Sequence, residues 1–199
     1  MEKVKVILAS GSKQRKDIFE MIGLKYEVIT SLVDENSTKE DPYEYVEELS
    51  KGKAESVTEQ INEKAIIISA DTIVYFNGKK YEKPKTKEEV FKNMKDMSNK
   101  VNKIITGITI KDLYKDKTIT FSSSTDVKFR ELTDEEINWY IEGEKRIFKC
   151  CGYVPLGKAA IFLDSVNGDY NTMFGISPSL VFSKLKELGY SISNFEFVE

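Results

Sequence analysis

A single acidic residue, Asp71, lies inside an apolar run that spans residues 65–76. The β-branched and aliphatic residues around it have the composition of a buried strand. Burying an unpaired polar group costs roughly 2–7 kcal/mol, and burying a charge costs more, unless a cation, a metal or hydrogen-bond donors meet it. Two interpretations follow from the residue types: a half-buried strand whose acid points into a loop, or a reactive carboxylate in a site.

The dipeptide Asn77-Gly78 ends this run and favours a tight hairpin turn, because both residues tolerate positive φ. A short second strand then brings Glu82 and Lys83, followed by a proline, back beside Asp71. A two-residue turn pairs Lys83 with Thr72, so Glu82 falls on the face of Asp71. Lys83 reaches Asp71 only if the strand ends or bulges near the proline.

A second group of reactive residues follows the first predicted strand, at residues 3–9. A turn with two serines leads into a helix from about Ser12 to Ile22, for which Ser12 is a suitable N-cap. Backbone donors and the dipole at such a helix start favour a phosphate. The first turn adds positive charge through Lys13, Arg15 and Lys16. The Gly-rich Walker pattern is absent, so the turn predicts an anion pocket of no particular class.

A long helix beginning at Asp41-Pro42 carries one charged residue, Lys53, on its apolar stripe. A lysine in that position either extends to solvent or reaches a phosphate from the core side. Further helices are predicted at 86–97, 133–141 and from 178 to Gly189, with capping boxes at Thr86 and Thr133. Strands are predicted at 26–30, 104–111, 117–130 and 159–163, with a turn at 167–170.

These elements predict one α/β domain over residues 1–199, with a mixed, strongly twisted sheet flanked by helices and two lobes around a cleft. The net charge of −3, from 30 basic and 33 acidic residues, argues against nucleic acid and anionic membranes as partners. The lysine-rich stretch 79–103 contains interspersed acids and is expected to be a solvated face. No apolar run reaches the ~20 residues of a membrane span, and the N-terminus lacks a signal peptide, so a cytoplasmic protein is expected.

Composition also removes several kinds of chemistry. The chain has no histidine, which excludes catalytic triads and metal sites that depend on this residue. Its two cysteines, Cys150 and Cys151, are neighbours and are expected to be small, reduced core residues. Any metal must then be hard and bound by oxygen, with Mg²⁺ the default.

Six motifs follow one another along nearly the whole chain: residues 7–15, Val33-Asp34-Glu35, Lys53-Ala54, residues 69–72 with Glu82-Lys83-Pro84, Ile105-Thr106-Gly107 and Gly168-Asp169-Tyr170. In their sequence and order the chain resembles the Maf family. The resemblance implies a fold related to the inosine triphosphatase group. It also implies a pyrophosphatase that needs Mg²⁺ or Mn²⁺, converts a nucleoside triphosphate to monophosphate and pyrophosphate, and forms a homodimer.

The resemblance also implies roles for individual residues. The catalytic set is Asp71, as the base, with Lys53 and Lys83. Substrate binding falls to Ser10, Ser12, Arg15, Glu35, Thr72 and Glu82, and the candidate metal ligands are Asp71, Glu35 and Asp169.

The positions linked to substrate choice depart from the family. Gln14 replaces an arginine, Phe148 replaces an aspartate, and Leu156 replaces a glutamine associated with dTTP and UTP preference in one subfamily. The predicted substrates are therefore modified, noncanonical or pyrimidine nucleoside triphosphates. The alternative is a nucleotide-binding regulatory protein of cell division or septum formation with weak or no catalysis. A third hypothesis is a purely structural interaction protein. Under that hypothesis, the charged residues Asp71 and Lys53 would lie on apolar elements by chance.

Overall fold

The computed structural model describes residues 3–33 and 36–198. Within these ranges the strands are β1 (Val6–Leu8), β2 (Glu27–Val28), β3 (Ile66–Phe76), β4 (Lys79–Tyr81), β5 (Val101–Asp112), β6 (Lys117–Phe129) and β7 (Leu163–Gly168). The α-helices are α1 (Lys13–Met21), α2 (Pro42–Thr58), α3 (Lys87–Met97), α4 (Asp134–Gly143) and α5 (Pro178–Glu187). Three 3₁₀ turns lie at Gly157–Phe162, Tyr170–Phe174 and Ile192–Asn194.

The described strands form one mixed sheet in the order β2-β1-β3-β5-β6-β7, with β4 paired to β3. The strand β1 runs parallel to both β2 and β3, whereas β3–β4 and β6–β7 are antiparallel pairs. Parallel pairing requires a crossover, which helices α1 and α2 supply. The predicted α/β class with a mixed sheet is confirmed.

The chain divides into two compact units. The first contains the described residues up to Thr72, Thr106–Ser123 and the residues from Phe174 onward. The second contains Ile73–Ile105 and Ser124–Met173. The prediction that residues 1–199 act as one functional domain stays a prediction.

In the first unit, α2 packs against β1 and β3. The buried cluster there consists of Ile7, Ala9, Ala54, Val57, Ala65 and Ile67. The strand β5 passes so close to α2 that a Cβ added at Gly107 would overlap the backbone carbonyl of Val46. The glycine therefore sets the distance between the sheet and the helix that carries Lys53.

In the second unit, the hairpin between β3 and β4 has the predicted tight turn. Asn77 and Gly78 both have positive φ, 50° and 74°. The pairs that form have the predicted offset, with Val74 opposite Tyr81 at the end of β4, but the predicted pairs of Glu82 and Lys83 are not formed because the strand ends before them. The helix α4 begins with the predicted capping box, in which the side chain of Thr133 and that of Glu136 each accept a backbone N–H of the other residue.

Several local predictions were wrong. At α3 the Thr86 hydroxyl caps the N–H of Glu89, but the Glu89 carboxylate accepts from Lys85 N, so the capping box is half formed. The predicted strand at 159–163 is a 3₁₀ turn, because the two buried residues Ala159 and Phe162 are three apart, which matches the 3₁₀ period. The strand β7 begins only at Leu163 and includes residues 167–168, which were predicted to form a turn.

The cysteine prediction holds for one residue of the two. Cys151 is buried and free, as expected of a small core residue. Cys150 likewise forms no disulfide but is exposed, with a positive φ of 51°. The left-handed backbone at Cys150 lets its neighbour enter the core while its own side chain stays outside.

Candidate active site

The helix α2 delivers Lys53 to the sheet. It begins where the Asp41 side chain accepts the N–H groups of residues 43 and 44, with Pro42 at its first position. The buried residues of this helix lie on the face that packs against β3. Lys53 lies on that face as well, with only 7% of its surface exposed. The first alternative for Lys53, extension to solvent, is wrong.

The ammonium of Lys53 instead forms an ion pair with Asp71. Its Nζ lies 2.6 Å from Asp71 Oδ1, and the two side chains are only 9% and 11% exposed. The pair accounts for a carboxylate inside an apolar strand, because the lysine supplies the counter-charge that burial demands. Among the described residues, no donor other than Lys53 contacts the Asp71 carboxylate.

Strand alternation separates Asp71 from its neighbour. Residues two apart on β3 share a face, and Ser69, on the same face as Asp71, donates to the carbonyl of Ser50 in α2 over 2.6 Å. Thr72 makes its contacts with other elements: its Oγ1 accepts from Arg15 of α1 and lies 2.9 Å from Thr106 Oγ1 of β5. Two consecutive residues therefore connect β3 to α2 and to α1.

Arg15 links three segments of the first unit. Its Nε donates to the Gly175 carbonyl over 2.9 Å, its Nη1 to Ser10 Oγ over 3.1 Å, and its Nη2 to Thr72 Oγ1 over 3.1 Å. The Ser10 hydroxyl also accepts the backbone N–H of Ser12 over 3.2 Å. The predicted anion-binding turn is thereby fixed to the strand that carries Asp71.

The start of α1 differs from the sequence prediction in one detail. Ser12 occupies the N-cap position but its side chain caps no backbone N–H. Its hydroxyl instead donates to Gln14 Oε1 over 3.1 Å. The glutamine amide thus competes for the N-cap hydroxyl, which the spacing alone did not indicate.

Glu82 and Lys83 follow the β4 strand rather than belonging to it. The strand ends at Tyr81, and both residues are exposed, whereas Pro84 after them is buried. A proline restricts the residue before it and donates no hydrogen bond, which limits further pairing. Glu82 forms an ion pair with Lys80, 2.9 Å away.

The predicted metal ligands have different surroundings. One oxygen of Asp169 accepts the N–H of Thr172 over 2.8 Å and also its hydroxyl, so this carboxylate caps the 3₁₀ turn at Tyr170–Phe174. Glu35 lies outside the described residues. Within residues 3–33 and 36–198, no three acidic or cysteine side chains are grouped so as to hold a metal ion.

The segment 148–157, which carries two of the departures from the family, is irregular as predicted. Phe148 and Leu156 are both exposed. Arg146 anchors the segment end by donating from Nη2 to the Leu156 carbonyl over 3.3 Å and binding Glu144 with two nitrogens. The hydrogen bond from Arg146 holds the pKa of the Glu144 carboxyl below its ordinary value.

Sequence reasoning missed two contributors to this network. Thr106 was recognised only as part of a motif, yet its hydroxyl contacts Thr72. Gly175 was not singled out at all, although its carbonyl accepts from Arg15. A lone glycine before the Ser177-Pro178 helix start was the only local signal, and it does not reveal a partner 160 residues away.

Fold and site together define an α/β protein with a buried lysine–carboxylate pair beside a βα turn that is braced by an arginine. Residues 5–188 match the sequence model of the family described as Maf-like protein, and the chain belongs to that family. No helix of the described part of the chain has the length and apolar character needed to cross a membrane.

Two relatives illustrate the similarity. The chain is 38% identical over 191 residues to a dTTP/UTP pyrophosphatase of Clostridium novyi, with 95% of this chain and 100% of that protein covered. It is 39% identical over 180 residues to a dTTP/UTP pyrophosphatase of Thermosipho melanesiensis, with 90% and 96% covered. The solved structure of the Staphylococcus aureus Ham1 protein aligns with a TM-score of 0.46 and 12% identity, covering 92% of this chain and 99% of that one. The fold assignment rests on the strands and helices of the chain itself.

Proposed function

We propose that this protein is a nucleoside triphosphate pyrophosphatase, which hydrolyses the bond between the α- and β-phosphates to give a monophosphate and pyrophosphate. The observation that carries the proposal is the buried Lys53–Asp71 pair, next in sequence to the threonine that Arg15 ties to the anion-binding turn. Relatives named dTTP/UTP pyrophosphatase, alike over nearly their whole length, support the same activity.

Asp71 is the general base of the proposed reaction. One of its oxygens is held by Lys53, and a carboxylate fixed in this way can orient a water and accept its proton as the water attacks the α-phosphorus. Asp71 lies within the apolar strand β3 and only 8% of its surface is exposed, which restricts competing water. The base therefore needs no histidine, which the chain lacks.

Positive charge and backbone donors bind the triphosphate in this proposal. Phosphoryl chemistry asks a protein mainly to position the substrate and to stabilise charge on the phosphate oxygens. Lys53 and Lys83 supply charge, whereas the turn at Ser10 and Ser12, braced by Arg15, supplies the start of α1. Thr72, Glu35 and Glu82 complete the proposed binding set, as the family resemblance implies.

A divalent metal, Mg²⁺ or Mn²⁺, is the proposed cofactor. Mg²⁺ in nucleotide sites is held by one or two carboxylates together with water and substrate phosphates, so a cluster of three acids is not required. Asp71 and Glu35 would hold it, and Asp169 is the weaker candidate because its carboxylate already caps a turn. When bound, the metal neutralises charge that develops on the phosphates.

The proposed substrates are dTTP and UTP, with modified pyrimidine triphosphates beside them. The names of the relatives favour pyrimidines. The departures at Gln14 and Leu156 mean that this chain recognises the base through a different set of contacts. A role as a binding protein without catalysis is not favoured, since Asp71 and Lys53 are both present and paired.

A cytoplasmic location and a homodimer belong to this proposal as well. Neither cysteine forms a disulfide, which is compatible with a reducing compartment. The homodimer rests on the family resemblance and is checked by light scattering of the purified protein.

The deciding experiment measures pyrophosphate and monophosphate release from a panel of standard and modified nucleoside triphosphates, with Mg²⁺, with Mn²⁺ and with a chelator. Release from dTTP and UTP that stops with the chelator and in the Asp71→Asn variant is the expected result. No release from any nucleotide, while nucleotides still raise the melting temperature, would overturn the proposal and favour the binding protein.

A further inference from the structure

We propose that Gly175 is a positioning residue of this site, acting through Arg15 on the residues beside Asp71. The inference rests on the proposed function and adds a residue that lies far from the site in sequence. Gly175 precedes α5, and its carbonyl accepts the Arg15 Nε–H over 2.9 Å.

The backbone of Gly175 has a conformation that side chains disfavour. Its φ is +94°, in the region that glycine enters without steric cost. This conformation directs the Gly175 carbonyl to Arg15, a residue of α1. A side chain at this position would therefore strain the backbone that presents the carbonyl to Arg15.

The space above Gly175 is also filled by the site itself. A Cβ placed there would lie 3.1 Å from Arg15 Nε, 3.2 Å from Thr72 Oγ1 and 3.4 Å from Arg15 Nη2. Two of these contacts are tighter than ordinary van der Waals separations. The missing side chain thus leaves room for the guanidinium and the threonine hydroxyl together.

The guanidinium of Arg15 couples the position of Gly175 to that of its other partners, because it is planar and rigid. Its nitrogens donate to Gly175, Ser10 and Thr72, so a shift at one contact moves the other two. Ser10 belongs to the predicted anion-binding turn, and Thr72 directly follows the proposed base Asp71 in the chain. Misplacement of a reacting group by about 1 Å can cost about 100-fold in rate.

The test compares Gly175→Ala with Gly189→Ala. Gly189 has a similar φ of +86°, but a Cβ there would approach only Lys115 Nζ, at 3.5 Å, so it reproduces the backbone strain alone. We expect both variants to lower the melting temperature, and only Gly175→Ala to lower kcat, by about 10- to 100-fold. Equal kcat values in the two variants would overturn the proposal.

Coupling to Arg15 provides the second readout. In Arg15→Lys, the lysine keeps the charge but lacks the planar fork of the guanidinium. When Arg15→Lys is already present, adding Gly175→Ala should therefore lower kcat by less than about twofold. Independent, multiplicative losses in kcat would show that the glycine acts elsewhere and would overturn the proposal.

A spectroscopic measurement separates this inference from the proposed function. The Nε–H resonance of Arg15, identified by its loss in Arg15→Lys, should be protected from exchange in the unaltered protein and in Gly189→Ala, and shifted or exchanging in Gly175→Ala. If the unaltered protein hydrolyses no nucleotide, the proposed function fails, and this resonance alone then decides whether Gly175 places Arg15. An unchanged resonance in Gly175→Ala would overturn the inference whatever the activity.

Discussion

Lys53 and Asp71 form a buried ion pair that joins α2 to β3, with 2.6 Å between the ammonium nitrogen and the nearer carboxylate oxygen. Each charge is largely removed from water, and each provides a counter-charge for the other. Breaking such a pair by removing one partner typically costs about 3–5 kcal/mol, because the remaining charge is left uncompensated. The site is therefore tied to the stability of the first unit.

Replacing the lysine tests that dependence. Lys53→Met should lower the free energy of unfolding by about 3 kcal/mol, since it leaves the Asp71 carboxylate buried without its cation. Lys51→Met removes the same charge from an exposed position on the same helix and should change stability by less than about 0.5 kcal/mol. Urea denaturation measures the free energy of unfolding of both variants. Equal losses of stability in the two variants would contradict a buried ion pair.

Replacing the carboxylate tests the proposed base. Asp71→Asn should reduce pyrophosphate release by about 10²–10⁴-fold, the usual contribution of a general base, while the far-ultraviolet circular dichroism stays native. The double variant Asp71→Asn with Lys53→Met should regain no activity, because it restores no carboxylate to accept the proton of the water. Full activity in Asp71→Asn would refute the assignment.

Local chemistry explains the parts of the fold that could be predicted. The turn at Asn77-Gly78 and the capping box of Thr133 and Glu136 depend on residues within a few positions of each other, and both formed as expected. The hairpin register followed from the turn length and continues to the end of β4.

Contacts across the chain explain what could not be predicted. Lys53 pairs with a residue 18 positions away, and Arg15 reaches Gly175 across 160 positions. Such partners are chosen by strand order and helix packing, which residue types alone leave open. The 3₁₀ turn at Gly157–Phe162 was mistaken for a strand because a short apolar run fits either period.

The start of α4 predicts a dependence of stability on pH. The Arg130 guanidinium, followed by the Thr133 N–H, lowers the pKa of the Glu136 carboxyl from its ordinary 4.5 to about 2. A depressed carboxyl pKa stabilises the fold above the ordinary value, and this contribution is lost as the pH falls from about 4.5 through about 2. Glu136→Gln should therefore destabilise the protein near neutral pH, with a difference that shrinks over that range.

Urea denaturation at a series of pH values checks this expectation. Glu135→Gln removes one carboxylate from the same helical turn and is the matched control for net charge and the helix dipole. Added salt should weaken the Glu136 effect, because the ion pair with Arg130 is partly exposed. If the loss of stability in Glu136→Gln stays constant down to about pH 3, the result would contradict the lowered pKa of Glu136.

Base choice is the last property that the structure makes testable. Leu156 is 42% exposed, and it occupies the position where the family resemblance places a pyrimidine-linked glutamine. Leu156→Gln offers an amide donor and acceptor in its place. One neutral hydrogen bond is worth about 1 kcal/mol, so the ratio of kcat/KM for UTP to that for ATP should rise about fivefold. Ile161→Gln is the control, as it introduces the same amide at an apolar position that is 55% exposed in the same unit. A rise of equal size in both variants, or none in either, would show that this chain reads the base elsewhere.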